Sequence, residues 1–270
     1  MFNLLGFGKL GLTRRRKAVL PRIDGLSRVE CLEERLVLAS QIGVAFSGGN
    51  LILSGSAGDD NVTVIVTGTN VVTLSSTGGG TFTGTIAASY TVTGTLSINM
   101  NAGDDTVTLS GAAGTYTGSK LSVDLGVGND TLNTSGVLTL NKELTVLGGA
   151  GTDAVNLGTT VGANFVVLGI SRIDTGDNDD TVTLGTTGTT ALHGQVVITL
   201  GGGNDTLTIG NNAGSAAFGA ANNYNFNGGG SAGDRFLGST ISLGSYQGGA
   251  MTLKGNAKLA SKITGFKLFV

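Results

Sequence analysis

The chain has 270 residues, 48 of them glycine and one proline, with 13% charged residues, 5% aromatics, no tryptophan and a formal charge of −2. So much glycine argues against helices, because glycine carries the largest backbone entropy cost in a helix interior, and the near absence of proline argues against Pro-rich linkers. The scarcity of aromatics removes any broad stacking platform for sugars or bases, and nothing in the sequence has the clustered basic face of a nucleic-acid footprint.

The first 40 residues form a separate object. Residues 1–36 hold eight Lys/Arg against four Asp/Glu, leaving eight basic and fourteen acidic residues in the remainder. Arg14-Arg15-Arg16-Lys17 is followed by Val29-Glu30-Cys31-Leu32-Glu33-Glu34-Arg35-Leu36-Val37-Leu38-Ala39-Ser40. The apolar part is interrupted by charge, so it does not read as an ordinary secretory signal. This segment resembles the N-terminal sorting segment of planctomycete extracellular proteins, a Leu-Glu-x-Arg pattern ending in small residues. The resemblance implies export to an extracellular or cell-surface location and an export leader over 1–40, disordered or removed. Cys31, the single cysteine, lies in that leader, so no internal disulfide can form. No run of 18 apolar residues follows, and no membrane span is expected.

From residue 41 onward one phrase recurs. It reads SAGDD around Asp60, NAGDD around Asp105, GVGND around Asp130, GGAGTD around Asp153, TGDNDD around Asp180 and GGGND around Asp205. The aspartates are 45, 25, 23, 27 and 25 residues apart, so the unit is about 25 residues and a divergent copy is expected between Asp60 and Asp105. Alternating apolar residues precede each turn, as in Leu121, Val123 and Leu125, and follow it, as in Leu207 and Ile209. Period two marks strands with one buried face. A strand, a Gly-Asp turn, a second strand, a further turn and a third strand make one coil of a parallel β-helix. The expected fold is all-β, a single-stack β-solenoid of about nine coils over residues 41–270.

Along the body, residues 68–95 are the least regular and are laid over one coil without an aspartate turn. The pattern is clearest from Gly94 to Ile209, and residues 210–232 read as a widened coil. SAGDR at 231–235 echoes SAGDD at 56–60 and places Arg235 at the aspartate station. Lys254, Lys258, Lys262 and Lys267 then punctuate a terminal capping coil, lysine being a common guard on an unpaired strand edge.

Two chemistries are open at the repeated turns. Aspartate can fix a corner by accepting backbone N–H groups. Stacked at the strand spacing of about 4.8 Å, the carboxylates also form a column of like charge that invites a hard cation. The string Gly148-Gly149-Ala150-Gly151-Thr152-Asp153-Ala154-Val155-Asn156 resembles the calcium-binding nonapeptide repeats of secreted toxins. That resemblance implies calcium, with Asp60, Asp105, Asp130, Asp153, Asp180 and Asp205 as its ligands.

The enzyme alternative is a polysaccharide lyase or glycoside hydrolase of the parallel β-helix type, which needs two positioned carboxyl groups. Outside the repeat, Asp124, Asp174, Asp177, Arg172 and Glu143 are available, with Arg172 and Asp174 the most plausible charged pair; His193 is the sole histidine. No catalytic residue is assigned. The competing reading is a non-enzymatic exported rod serving as a surface, matrix or adhesion component. Its Thr-, Ser-, Asn- and Gly-rich faces would contact polysaccharide, other surface proteins or further copies of itself.

Overall fold

The structure is a computed structural model that describes residues 40–78, 80–210, 215–218, 224–229, 235–238, 241–243, 263–264 and 268–269. The leader, with Cys31, and the four capping lysines lie outside the described residues. What is described is a β-solenoid of about five turns, all-β as expected but with fewer coils than the nine anticipated.

Each coil has three faces. The first is built by Asn50–Ser54, Thr95–Asn99, Lys120–Val127, Glu143–Ala150, Ser171–Asp177, Val196–Thr199 and Tyr224–Asn227, paired in parallel. The second follows the aspartate turn: Asn61–Val66, the starts of Thr106–Tyr116 and Thr131–Leu140, then Ala154–Leu157, Thr181–Leu184, Thr206–Ile209 and Arg235–Gly238. The third is the end of those two long strands followed by Asn164–Val167, Thr189–Leu192 and Ser215–Phe218. In the coils of Thr106–Tyr116 and Thr131–Leu140 one bent strand covers two faces, with a register shift between Val137 and Leu138. Gly136 sits at that bend with φ +65°, and a Cβ there would overlap the Gly111 carbonyl oxygen.

Alternation explains the interior. Leu121, Val123 and Leu125 point inward, while Lys120, Ser122 and Asp124 point out. Each inward residue stacks on its counterpart one coil away, as along Val62, Val107, Leu132, Val155, Val182 and Leu207. Burial of each such side chain contributes about 1.5–3 kcal/mol, and the clusters merge into one continuous core. A coil cannot bury its own apolar face, so stability comes from its neighbours.

The coil expected over residues 68–95 is not there. Thr106 pairs directly with Asn61, so the coils of Asp60 and Asp105 are adjacent. The intervening chain doubles back instead: Val71–Ser75 runs antiparallel to Asn61–Val66, and Tyr90–Thr91 antiparallel to Val71–Ser75. Gln41–Ser47 likewise runs antiparallel to Asn50–Ser54 through a Gly48-Gly49 turn in which both glycines have positive φ, the conformation that two-residue hairpins require. Without an aspartate turn the chain reverses rather than advances. Arg235 also moves: it pairs with Thr206, not with Asp205, so it stands one position past the aspartate station. The residue at the station itself lies outside the described residues.

Candidate functional site

The repeated corner is where sequence and geometry converge. Two positions in each of the five turns from Asp105 to Asp205 have positive φ: Asn101 and Gly103, Gly126 and Gly128, Gly149 and Gly151, Gly176 and Asn178, Gly201 and Gly203; the Asp60 turn has none. A Cβ on Gly201 would overlap the Gly176 carbonyl oxygen, and one on Gly151 would overlap that of Gly128. Backbone conformation and close stacking both select glycine here, which accounts for the Gly-x-Gly spacing before Asp130, Asp153 and Asp205, with asparagine taking one of the two places before Asp105 and Asp180.

This corner aims the following aspartate inward. Asp60 is 2% exposed, and Asp105, Asp130, Asp153, Asp180 and Asp205 are 1% exposed or less. The six lie in one column, bonded coil to coil. The Asp60 N–H donates to Oδ1 of Asp105 at 2.7 Å, that of Asp105 to Asp130 at 2.7 Å, that of Asp130 to Asp153 at 2.9 Å, that of Asp153 to Asp180 at 2.8 Å and that of Asp180 to Asp205 at 2.8 Å. The aspartate carbonyls continue the ladder, with Thr131 N–H donating to Asp105 O and Thr206 N–H to Asp180 O, both at 2.8 Å.

One residue earlier a second ladder runs along the outside with opposite polarity. The Asp104 N–H donates to Asp59 Oδ1 at 2.9 Å, Asn129 N–H to Asp104 Oδ1 at 2.8 Å, and Thr152 N–H to Asn129 Oδ1 at 2.9 Å; farther on, Asn204 N–H donates to Asp179 Oδ1 at 2.7 Å. Inside, the earlier coil donates to the later side chain. Outside, the later coil donates to the earlier one. Sequence reading missed this outer ladder, whose signal is the Asp, Asn or Thr that precedes every repeated aspartate.

Compared with known proteins, the chain matches no family model, no curated protein and no solved structure. Its chemistry is therefore read from its own residues.

The second carboxyl oxygens of Asp105, Asp130, Asp153 and Asp180 are buried with no hydrogen-bond partner. Near Asp180, the single hydrogen of the Thr175 hydroxyl serves the Leu200 carbonyl at 2.9 Å. Asp60 differs, since its Oδ2 accepts Ser56 N–H at 2.5 Å. Burial pushes Asp105 up to about 7, against the lowering effect of the Asp60 N–H and with help from the charges of Asp130, Asp60 and Asp59. Burial likewise raises Asp180 to about 7 and Asp153 to about 6, and it raises Asp130.

An open buried oxygen needs a positive partner, either a proton or a cation. Calcium takes six to eight oxygens, and the placement of these residues fits it poorly. One oxygen of each later carboxyl is already held by an amide, and the low exposure leaves little room for coordinating water. Among the described residues no three His, Cys, Asp or Glu side chains converge as a metal set. A proton on the open oxygen needs no rearrangement and removes the column's like-charge repulsion.

The residues weighed for catalysis lie elsewhere and apart. Asp124 and Asp174 share one outward ladder of the first face with the exposed Leu147 between them. They are thus two ladder steps, about 9.6 Å, apart along the stack. Burial raises the Asp124 carboxyl. Arg172 does not pair with Asp174; its guanidinium meets Glu143 at 3.0 Å, with Lys120 on the same carboxylate at 3.8 Å. Asp177 is exposed at the first-face end of the aspartate corner, and His193 continues the third-face ladder by donating its N–H to Val167 O at 2.8 Å. No helix among the described residues is long and apolar enough to cross a membrane.

Proposed function

We propose that the chain is an exported, non-enzymatic structural rod of a cell surface or extracellular matrix. The observation that carries this reading is the engagement of the repeated motif by the stack itself. Every later aspartate of the inner column accepts an amide from the preceding coil, and the carbonyls from Asp60 to Asp180 carry the ladder onward. Residues held in this way maintain a repeating shape, and a solenoid of such coils offers extended faces rather than one pocket. The leader's likeness to planctomycete sorting segments supports export, and the Thr-, Ser- and Asn-rich outer positions support contact with polysaccharide, other surface proteins or further copies.

Fractionation of the source cells tests the proposal. Antibody against the chain is expected to find it in the washed envelope or the medium, without the first residues if the leader is removed. Recovery in the cytosol alone would refute it, and turnover of any polysaccharide by the purified chain would replace it with the enzyme alternative.

A further inference from the structure

The three faces are not alike. The first carries the charges of Lys120, Asp124, Glu143, Arg172 and Asp174, and the third is interrupted by the register shift at Val137 and the exposed Val137 itself. The second face has neither feature. Its outward positions form two columns in unbroken register across six strands. Thr106, Thr131, Thr181 and Thr206 fall in one, completed by Asn61 and Ala154; Thr63, Thr108, Thr183 and Thr208 fall in the other, completed by Asn133 and Asn156. None of the twelve positions is charged or aromatic. Arg235 and Leu237 end the pattern on the next strand.

The eight threonine hydroxyls on this face make no hydrogen bond with another described residue, whereas Thr134, Thr175 and Thr190 elsewhere do. Among the described residues, the only side-chain bond within the two columns joins Asn156 Nδ2 to Asn133 Oδ1 at 3.1 Å. Threonine is stiff at χ1, and every one but Thr63 has a coil strand on both sides. The face therefore presents a preorganised array of hydroxyl and methyl groups, repeating at roughly 4.8 Å along the stack and roughly 6.7 Å along the strand.

An uncharged face offers a charged partner no counter-charge, and the absence of aromatic rings removes the usual platform for sugar rings. What complements it is a neutral, rigid surface with the same two repeats. The oxygen rows on the prism faces of hexagonal ice repeat on the same few-ångström scale in two directions, and ordered water can bridge hydroxyls at small entropic cost when the groups are already fixed. We propose that this face binds ice, so that the rod attaches its cell or matrix to a frozen surface. The inference rests on the rod reading above and names the partner of one of its faces.

The test uses the full chain, partitioned into slowly growing polycrystalline ice and assayed for inhibition of ice recrystallisation, beside the variants Thr131→Tyr on the second face and Ser122→Tyr on the first. The native chain and Ser122→Tyr are expected to enter ice equally. Thr131→Tyr, a bulky ring at the centre of the array, is expected to lose about tenfold or more while keeping the native circular-dichroism spectrum and melting curve. Exclusion of the native chain from ice overturns the proposal. So does an equal loss in both variants, or retention on microcrystalline cellulose without partition into ice. Small-angle scattering separates the two readings: a folded rod that ice excludes loses only this inference, whereas a chain that is no rod loses both.

Discussion

The inner and outer ladders of the corner are one residue apart and carry opposite lessons. The inner station is aspartate at all six corners and is closed to water; the outer station is Asp59, Asp104, Asn129, Thr152, Asp179 or Asn204, always exposed. Both satisfy a backbone amide across coils. The difference is what replaces the bond when it is lost. An outer amide returns to water, so several polar side chains serve there. An inner amide has no water to return to, so its acceptor is fixed.

Removing the corner that creates both ladders should have the largest effect. Gly201→Val places a side chain against the Gly176 carbonyl in a backbone with φ +97°. The overlap and the strain together are expected to cost about 3 kcal/mol or more, read as a large fall in thermal midpoint or loss of soluble protein. A melting curve like that of the native chain would mean that the corner tolerates a Cβ.

Next comes the ladder comparison itself. Asp130→Leu strands the buried Asp105 N–H and should destabilise by about 1–3 kcal/mol. Asn129→Ala frees the Thr152 N–H at the surface and should stay within about 0.5 kcal/mol. Urea titrations of the two variants decide it; equal losses would remove the distinction drawn between inside and outside.

An effect of the same order follows from titration. Asp105 and Asp180 are raised to about 7 and Asp153 to about 6. Folded-state values above the ordinary carboxylate value mean that the folded chain holds these protons more tightly. Their contribution to stability is full below about pH 4 and is lost as pH rises through 6 and 7. In the presence of a chelator, the thermal midpoint should therefore fall from pH 5 to pH 8, by the equivalent of roughly a few kcal/mol in total. A midpoint that is flat or rises over that window would show that the column is ionised at no cost.

The smallest expected effect is none. Chelation at neutral pH should leave the thermal midpoint of the native chain unchanged, and calcium titration should release no heat. A chelator-sensitive midpoint would return the inner column to the cation reading.

Much of this corner was readable before any coordinates. Gly126, Gly128 and Asp130 sit where the spacing put them, and Leu121, Val123 and Leu125 face the core as their alternation required. The gap between Asp60 and Asp105 misled because its length fits almost two units while its residues pair back on Asn61–Val66; hairpin and coil strands share one composition of Val, Thr and Leu. The Arg235 station slipped by one because a tetrapeptide likeness carries no information on ladder register. The partnership of Arg172 with Glu143 was equally invisible, since the two residues are 29 positions apart in sequence and meet only where adjacent coils stack.

By itself, the sequence determined that the chain winds into repeating coils, where each turn falls and which residues face inward, because periodicity and the demand for glycine at positive φ are local properties. Only the tertiary structure decided which coils are neighbours, that the aspartates bond amide to carboxyl along the interior, and that one face is an uncharged threonine array. Those facts depend on the register of strands brought together across 23 residues or more, and register is set by packing rather than by any single segment.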